Sequence, residues 1–207
     1  LGAKICTMQR LALMRTSLLS LTRKLDAANQ ELIRISSSDS LTGIANRRCF
    51  DQRLEETWQA HATSGKSLAL LFVDVDCFKL LNDACGHLQG DEYLREIARV
   101  CATFVSREAA LVARCGGEEF AVLLPATPVR HVQLVAERIR LALAGEPVPV
   151  SPDCVLQVSV SLGAAMLAPG AADISPERLM ARADAALYQA KRNGRNRTML
   201  AAAGVPA

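Results

Sequence analysis

The sequence of 207 residues lacks several features that would assign it directly to a class of protein. It has no run of about 18 or more apolar residues, so it contains no candidate membrane-spanning helix. Arg10, Arg15 and Arg23 interrupt the N-terminal region, which therefore has no signal-peptide core. The net charge of +3 is too small to predict a nucleic-acid-binding surface. We expect neither a membrane span nor a nucleic-acid partner.

The seven cysteines include no C-x-x-C pair and no cysteine–histidine spacing of the kind that binds zinc. This pattern favours reduced thiols, and hence the cytoplasm, over a disulfide framework. The sequence begins with Leu1 rather than methionine. We therefore expect a piece of a longer protein whose upstream sensory domain is not included, and whose full length is compatible with a membrane anchor upstream.

Apolar residues repeat every seven positions near the N-terminus. The repeat fills two positions of each heptad, namely Leu11, Leu18, Leu25 and Leu32, and Met14, Leu21, Ala28 and Ile35. Such a narrow seam predicts a parallel coiled coil over residues 1–38, which would make the protein a homodimer. The alternative is one amphipathic helix packed on its own domain, although such helices usually have a wider apolar stripe. A main domain over 39–200 and a tail over 201–207 follow.

Helical and strand patterns alternate in the rest of the chain. Predicted helices cover about 46–60, 88–105, 128–144 and 176–193, the last with Ser175 as N-cap and Pro176 at its first position. Predicted strands cover about 68–73, 110–115, 120–124 and 155–167. This order matches the ferredoxin-like, split β-α-β arrangement. The sequence therefore predicts an α+β fold, with an antiparallel sheet covered by helices on one face.

Gly116 and Gly117 separate two of these strands and predict a two-residue hairpin turn, because glycine tolerates positive φ. Glu118 and Glu119 would then stand at the hairpin tip, beside Asp74 at the end of the first strand. Neighbouring carboxylates repel each other unless a cation lies between them. Asp74 and Glu118, with Asp76 or Glu119 nearby, are therefore candidates to hold one or two Mg²⁺ ions.

Cationic and hydrogen-bonding side chains suit a nucleotide triphosphate. Lys79, in a turn after Asp74, and Lys191 and Arg195, at the end of the last helix, would bind phosphates. A carboxylate such as that of Asp91 accepts hydrogen bonds from N1–H and the 2-amino group of guanine, which adenine lacks, and Asn82 adds an amide. These side chains favour GTP.

With these residues in their order along the chain, the sequence resembles the GGDEF-domain diguanylate cyclases from about Asp39 to Arg197. The motifs that carry the resemblance are Asp39-Ser40-Leu41-Thr42-Gly43, Asn46-Arg47-Arg48 with Phe50, Asp74-Val75-Asp76-Cys77-Phe78-Lys79, Asn82-Asp83, Gly86-His87, Gly90-Asp91, Gly116-Gly117-Glu118-Glu119-Phe120, Ser161-Leu162-Gly163, Ala186-Leu187-Tyr188-Gln189-Ala190-Lys191 and Gly194-Arg195-Asn196. The signature is the variant with glutamate at its third position.

The resemblance implies condensation of two GTP into cyclic di-GMP with release of two pyrophosphates, across a dimer of domains. It implies that Asp74, the Val75 carbonyl and Glu118 coordinate Mg²⁺, with Mn²⁺ as an alternative. Glu119 would join a second ion or help to deprotonate the 3′-hydroxyl. The remaining implied GTP contacts are Asn82 and Asp91 to guanine, Lys79, Lys191 and Arg195 to the β- and γ-phosphates, and the Gly116–Gly117 backbone beside the nucleotide.

One motif of the family departs from its usual pattern. Many members carry an inhibitory product site, Arg-x-x-Asp, shortly before the signature. Here Arg107 is retained and Ala110 replaces the aspartate, which predicts weak or absent product inhibition. Two alternatives stay open: a catalytically silent receptor or scaffold that binds GTP or cyclic di-GMP, and a different cyclase or polymerase-palm enzyme with the same two-metal sheet.

Overall fold

The computed structural model describes residues 19, 21–24, 37–105, 109–145, 148–151, 154–156, 158–170 and 175–201. The chain divides into two compact units, Leu1–Ser38 and Asp39–Ala207. In the first unit, residues 21–24 are helical and exposed. Of the predicted heptad positions, only Leu21 belongs to the described residues, and the others lie outside them. The coiled coil therefore stays a prediction.

The second unit contains five helices and eight strands within its described residues. The helices are α1 (Arg47–Ser64), α2 (Phe78–Cys85), α3 (His87–Phe104), α4 (Val129–Leu143) and α5 (Pro176–Arg192). The strands are β1 (Ala45–Asn46), β2 (Leu68–Asp76), β3 (Leu111–Arg114), β4 (Glu119–Pro125), β5 (Val148–Ser151), β6 (Cys154–Leu156), β7 (Ser159–Leu167) and β8 (Thr198–Leu200). None of the helices in the described part of the chain is both long and apolar enough to cross a membrane.

Six strands form one mixed sheet in the order β1-β3-β4-β2-β7-β8. The four central strands are antiparallel to their neighbours, whereas the short edge strands β1 and β8 pair in parallel. Strands β5 and β6 form a separate hairpin. The predicted order of a strand, a helical segment, a hairpin, a helix and a strand is confirmed, and with it the α+β fold.

Helices cover both faces of the sheet, so the expectation of one covered face was wrong. Side chains of a strand alternate between faces. Ala69, Leu71 and Val73 therefore pack in one core with α3 and α4, whereas Leu68 and Leu70 pack in a second core with α1 and α5. Strand β2 is apolar on both faces, and such a continuous apolar run is typical of a strand that is buried on both sides.

Local sequence signals predicted most helix ends to within a few residues of the observed ones. Asn46 caps α1 by accepting a hydrogen bond from the Cys49 amide, and Ser175 caps α5 as predicted. The sequence predicted that Lys79 lies in a turn after Asp74, but residues 78–85 form helix α2. This helix begins after Cys77, whose φ of 58° lies in the left-handed region. Lys79 and Asn82 therefore lie on a short helix.

Candidate active site

The three predicted metal ligands lie together at one end of the central strands. Asp74, near the end of β2, is 3% exposed and pairs with Glu119 on β4 in the strand register. The Val75 amide donates a hydrogen bond to the Glu118 carbonyl, with an N···O distance of 3.4 Å. The antiparallel pairing of β2 and β4 thus places Glu118 beside Asp74 and Val75, as the topology predicted.

The hairpin that carries the acidic pair differs from the predicted two-residue turn. Residues 115–118 lie between β3 and β4, and the amides of Cys115 and Gly116 both donate to the Glu119 carbonyl, at 2.8 and 3.3 Å. Neither glycine of the hairpin has a φ in the left-handed region. Instead, a Cβ at Gly116 would lie 2.7 Å from Glu119 Oε2. Glycine at position 116 therefore makes room for the Glu119 carboxylate.

Lys191 contacts the buried carboxylate directly: its Nζ lies 2.7 Å from Asp74 Oδ1. Helix α5 brings the lysine close because Gly163, on β7, has no side chain. A Cβ there would overlap the Leu187 amide and the Ala183 carbonyl. Lys191 lies one helical turn beyond Leu187, so this close packing lets it reach the end of β2. The predicted phosphate-binding lysine thus neutralises the predicted metal ligand.

The charge around Asp74 remains negative despite this ion pair. Burial raises the pKa of Asp74, and although Lys191 opposes the shift, repulsion from Glu118 and Glu119 adds to it. Among the described residues, no three His, Cys, Asp or Glu side chains form a ready metal cluster. The donors here are oxygens, from two carboxylates and the main chain. That set fits Mg²⁺, which takes few protein ligands and completes its shell with water and phosphates.

Asp76 has a structural role in this arrangement. Its Oδ1 accepts from the Ser161 hydroxyl at 2.7 Å, and its Oδ2 accepts from the Ser159 hydroxyl at 2.7 Å and the Asn196 amide at 3.0 Å. Both carboxylate oxygens are therefore occupied by protein donors. Asp76 connects β2, β7 and the segment after α5, which fits a supporting role better than metal binding.

The predicted guanine-binding residues lie on two adjacent helices. Asn82 is on α2, Asp91 is on α3, and both are half-buried. A Cβ at Gly90 would overlap Asn82 Oδ1, so the absence of a side chain at position 90 brings Asn82 next to Asp91 in space. Asn82 thus packs beside the residue that precedes Asp91, and both the amide and the carboxylate are groups that can hydrogen-bond to a guanine edge. Lys79 is exposed on α2.

Arg195 lies in the turn after α5. Gly194 has a φ of 105°, and the Arg195 amide donates to the Ala190 carbonyl at 3.0 Å. This is the hydrogen bond of a Schellman motif, in which glycine ends the helix in a left-handed conformation. The exposed Arg195 side chain therefore lies four residues after Lys191, at the same end of α5.

Arg114 is a structural contact whose role the sequence did not reveal. Its Nη1 lies 3.1 Å from Asp39 Oδ1, and its Nε and Nη2 donate to the Gly117 carbonyl at 3.1 and 2.6 Å. Asp39 Oδ1 also accepts from the Thr42 amide and hydroxyl. Asp39 belongs to a motif of the family, but Arg114 lies 75 positions away and just before the signature. Only their pairing shows that Arg114 joins the start of the domain to the hairpin.

The degenerate product site is only partly described. Arg107 lies outside the described residues, whereas Ala110 is half-buried immediately before β3. Cys49, Cys77, Cys85, Cys101 and Cys115 are free thiols. Burial raises the pKa of Cys115, beside the hairpin, to about 12, and that thiol therefore stays protonated at neutral pH.

A ferredoxin-like domain with carboxylates at the ends of two central antiparallel strands, and with cations on the neighbouring helix, has the architecture of a nucleotidyl-transferring catalytic domain. The family model for the diguanylate cyclase GGDEF domain matches residues 36–197, and the chain belongs to this family.

Known relatives agree with this membership. The chain is 40% identical to the response regulator PleD of Caulobacter vibrioides over 165 residues, which is 79% of this chain and 36% of PleD. It is 38% identical to diguanylate cyclase DgcM of Escherichia coli over 172 residues, which is 83% of this chain and 40% of DgcM. It thus spans less than half the length of either protein. Among solved structures, the coiled coil and GGDEF domain of DgcB from Caulobacter crescentus, in complex with c-di-GMP, superposes with a TM-score of 0.81 at 31% identity, covering 92% of this chain and 99% of that one.

Proposed function

We propose that this chain is a diguanylate cyclase, which condenses two GTP molecules into cyclic di-GMP and releases two pyrophosphates. The observation that carries the proposal is the placement of Asp74 next to Glu118 and Glu119, with Lys191 bound to Asp74. A buried carboxylate with a raised pKa, at the edge of a cluster of acids, is typical of a functional site.

The reaction assigns a task to each group. In each of two steps, the 3′-hydroxyl oxygen of one GTP bonds to the α-phosphorus of the other, the bond to the pyrophosphate oxygen breaks, and the hydroxyl proton leaves. Asp74, Glu118 and the Val75 carbonyl would hold Mg²⁺, which supplies charge neutralisation at the phosphates and lowers the pKa of the attacking hydroxyl. Glu119, exposed at the start of β4, would accept the proton or assist a second ion.

Substrate binding would use the remaining predicted residues. Asn82 and Asp91 would read the guanine edge, while Lys79, Lys191 and Arg195 would bind the β- and γ-phosphates. Lys191 would exchange its contact with Asp74 for a phosphate when the metal binds. Gly116 and Gly117 would let the nucleotide approach the hairpin backbone.

Each domain would bind one GTP, so two domains have to face each other. The predicted coiled coil over residues 1–38 would keep two copies together and raise their effective concentration. We infer that a shift of that helix, driven by an upstream sensory domain, controls whether the domains meet. The free cysteines support a reducing compartment, and we place the reaction in the cytoplasm, where GTP is available.

Product formation from GTP, measured as a function of protein concentration and identified by mass spectrometry, tests the proposal. We expect cyclic di-GMP to form with a rate that rises more steeply than linearly with protein concentration. Glu119→Gln should abolish turnover while it leaves the thermal unfolding unchanged. GTP binding without product, even in a protein forced to dimerise, would instead favour the silent receptor or scaffold.

We also propose that product inhibition is weak. The usual site needs an arginine and an aspartate, and Ala110 cannot supply the carboxylate. Added cyclic di-GMP should therefore change the initial rate little at concentrations well above the substrate. Restoring the carboxylate with Ala110→Asp is the matched gain-of-function variant, and potent non-competitive inhibition of the unsubstituted protein would contradict the proposal.

A further inference from the structure

Helix α4 contributes one side chain to the turn that carries Arg195. Arg140 Nη1 lies 2.8 Å from Asn196 Oδ1 and 3.4 Å from the Asn196 carbonyl oxygen. The other side of the same guanidinium is bound to Glu137, with Nε and Nη2 each 3.0 Å from Glu137 Oε2. Arg140 is only 18% exposed. Glu137 therefore fixes the orientation of the Arg140 guanidinium, and the edge with Nη1 faces the turn.

Asn196 is also bound from the opposite direction. Its amide donates to Asp76 Oδ2 at 3.0 Å, and Asp76 is itself fixed by the hydroxyls of Ser159 and Ser161. The side chain of Asn196 thus contacts α4, while its main-chain amide contacts the Asp76 side chain on β2. One residue of the turn therefore connects helix α4 with strand β2.

The backbone of this turn needs such contacts. Gly194, Arg195 and Asn196 have successive φ values of 105°, 58° and 44°, all in or near the left-handed region. Arginine is rarely found there, because its Cβ approaches the following carbonyl oxygen. A residue persists in that conformation when the surrounding structure holds it. Asn196 directly follows Arg195 in the chain. Its hydrogen bonds to Arg140 and Asp76 therefore hold the turn in this conformation.

We propose that Arg140 and Asn196 are positioning residues, which hold the turn after α5 so that Arg195 binds the β- and γ-phosphates of the substrate. The inference rests on the proposed function, because it takes GTP as the ligand. Neither side chain touches the nucleotide. Their loss should weaken the triphosphate contacts and leave the contacts to guanine and the α-phosphate, which come from α2, α3 and the hairpin, unchanged.

The test compares GTP with GMP, because GMP lacks the two phosphates that Arg195 would bind. Binding of each nucleotide to the full chain is measured by calorimetry with Mg²⁺ for Arg140→Met and Asn196→Gly. The second variant keeps the left-handed backbone accessible and removes only the side chain. We expect the affinity for GTP to fall about tenfold and that for GMP less than about twofold, as for loss of a charged contact. Arg140→Lys should restore part of the affinity.

A substitution cycle shows whether Arg140 acts through Arg195. In an Arg195→Ala background, Arg140→Met should lower GTP affinity by less than about twofold further, since the group that it positions is already missing. The exposed Arg130, on the same helix, provides the control: Arg130→Met removes an equal charge and should change neither affinity. If Arg140→Met fails to fold, Asn196→Gly carries the test.

The outcomes separate this inference from the proposed function. Unchanged GTP affinity in both variants, or a parallel loss of GTP and GMP affinity, rejects the positioning role even when the unsubstituted chain makes cyclic di-GMP. Conversely, a chain that binds GTP and loses this affinity selectively, but makes no cyclic di-GMP, supports the positioning role and rejects the cyclase activity. A chain that does not bind GTP rejects both.

Discussion

Arg114 bridges Asp39 and the hairpin between β3 and β4: its Nη1 is 3.1 Å from Asp39 Oδ1, while its Nη2 is 2.6 Å from the Gly117 carbonyl oxygen. The two side chains are 14% and 21% exposed, so solvent screens this ion pair less than one on the surface. Asp39 is the first residue of the second compact unit, directly after the segment predicted to form a coiled coil. The hairpin is therefore held by the first residue of this unit.

Arg114→Met should lower the turnover number more than it changes the half-saturating GTP concentration, because the hairpin carries Glu118 and Glu119. We also expect a loss of about 1–3 kcal/mol in the free energy of unfolding, the usual result of removing one member of a half-buried charged hydrogen bond. Arg53, which pairs with Glu56 at 3.5 Å on the surface, is the matched control. Arg53→Met should change stability by less than about 1 kcal/mol. Equal effects of both variants would contradict the assigned role.

The Asp39 contact should also make stability depend on pH. Burial alone would raise the pKa of Asp39, but hydrogen bonds from Thr42 and Arg114 outweigh it, and the pKa is lowered. A lowered carboxyl pKa contributes stability above the unfolded-state pKa of about 3.9, and this contribution is lost as the pH falls through the folded-state pKa. The stability difference between the unsubstituted chain and Asp39→Asn, from urea unfolding, should therefore shrink below about pH 4. A difference that is independent of pH would argue against the charged contact.

The sequence was sufficient for features that depend on local signals or on simple topology. Ser175 and Pro176 predicted the start of α5, and the antiparallel strand order predicted that Asp74 would lie beside Glu118. Strands β1 and β8 have only two and three residues, which is too short for any periodicity to show. The pairs Asp39–Arg114 and Arg140–Asn196 join residues 75 and 56 positions apart. Such contacts depend on how the helices and strands pack, which a single sequence does not specify.

Asp74→Asn should stabilise the metal-free protein at neutral pH while it abolishes activity. Burial, with repulsion from Glu118 and Glu119, raises the pKa of Asp74 despite the Lys191 contact, so its charged form is unfavourable in the folded state. Lys191 is 36% exposed and can be hydrated when the carboxylate is removed. We expect the free energy of unfolding to rise by about 1 kcal/mol, as is common when a functional residue that costs stability is replaced.

The pH dependence supplies the control for this gain. A raised native pKa means that the folded state binds more protons than the unfolded state between the two pKa values, so stability falls as the pH rises through this window. The advantage of Asp74→Asn in thermal unfolding should therefore appear only above the unfolded-state pKa of about 3.9 and grow with pH. Loss of stability in the variant at pH 7 would show that the Lys191 ion pair outweighs the burial of Asp74.

Gly163→Ala tests whether the close approach of α5 to β7 places Lys191. The new methyl group would overlap main-chain atoms of Ala183 and Leu187, so the helix has to move. We expect a loss of about 1–3 kcal/mol in unfolding free energy from overpacking, together with weaker GTP binding. Gly145, whose added Cβ would lie 3.9 Å from its nearest neighbour, is the control. If Gly163→Ala lowers stability but leaves GTP affinity intact, the contribution of Lys191 to GTP binding does not depend on the packing of α5 against β7.

Gly90→Ala should weaken guanine recognition through Asn82. An added Cβ would overlap Asn82 Oδ1 and lie 3.2 Å from Phe78 Cζ, so the amide side chain has to rotate away from Asp91. Loss of one hydrogen bond to the base corresponds to about 1 kcal/mol, so the preference for GTP over ATP in competition binding should fall roughly fivefold. Asn82→Ala should give the same loss, and adding Gly90→Ala to it should have no further effect on the preference. A parallel fall in GTP and ATP affinity would instead indicate general damage to α2 and α3, because only the base distinguishes the two nucleotides.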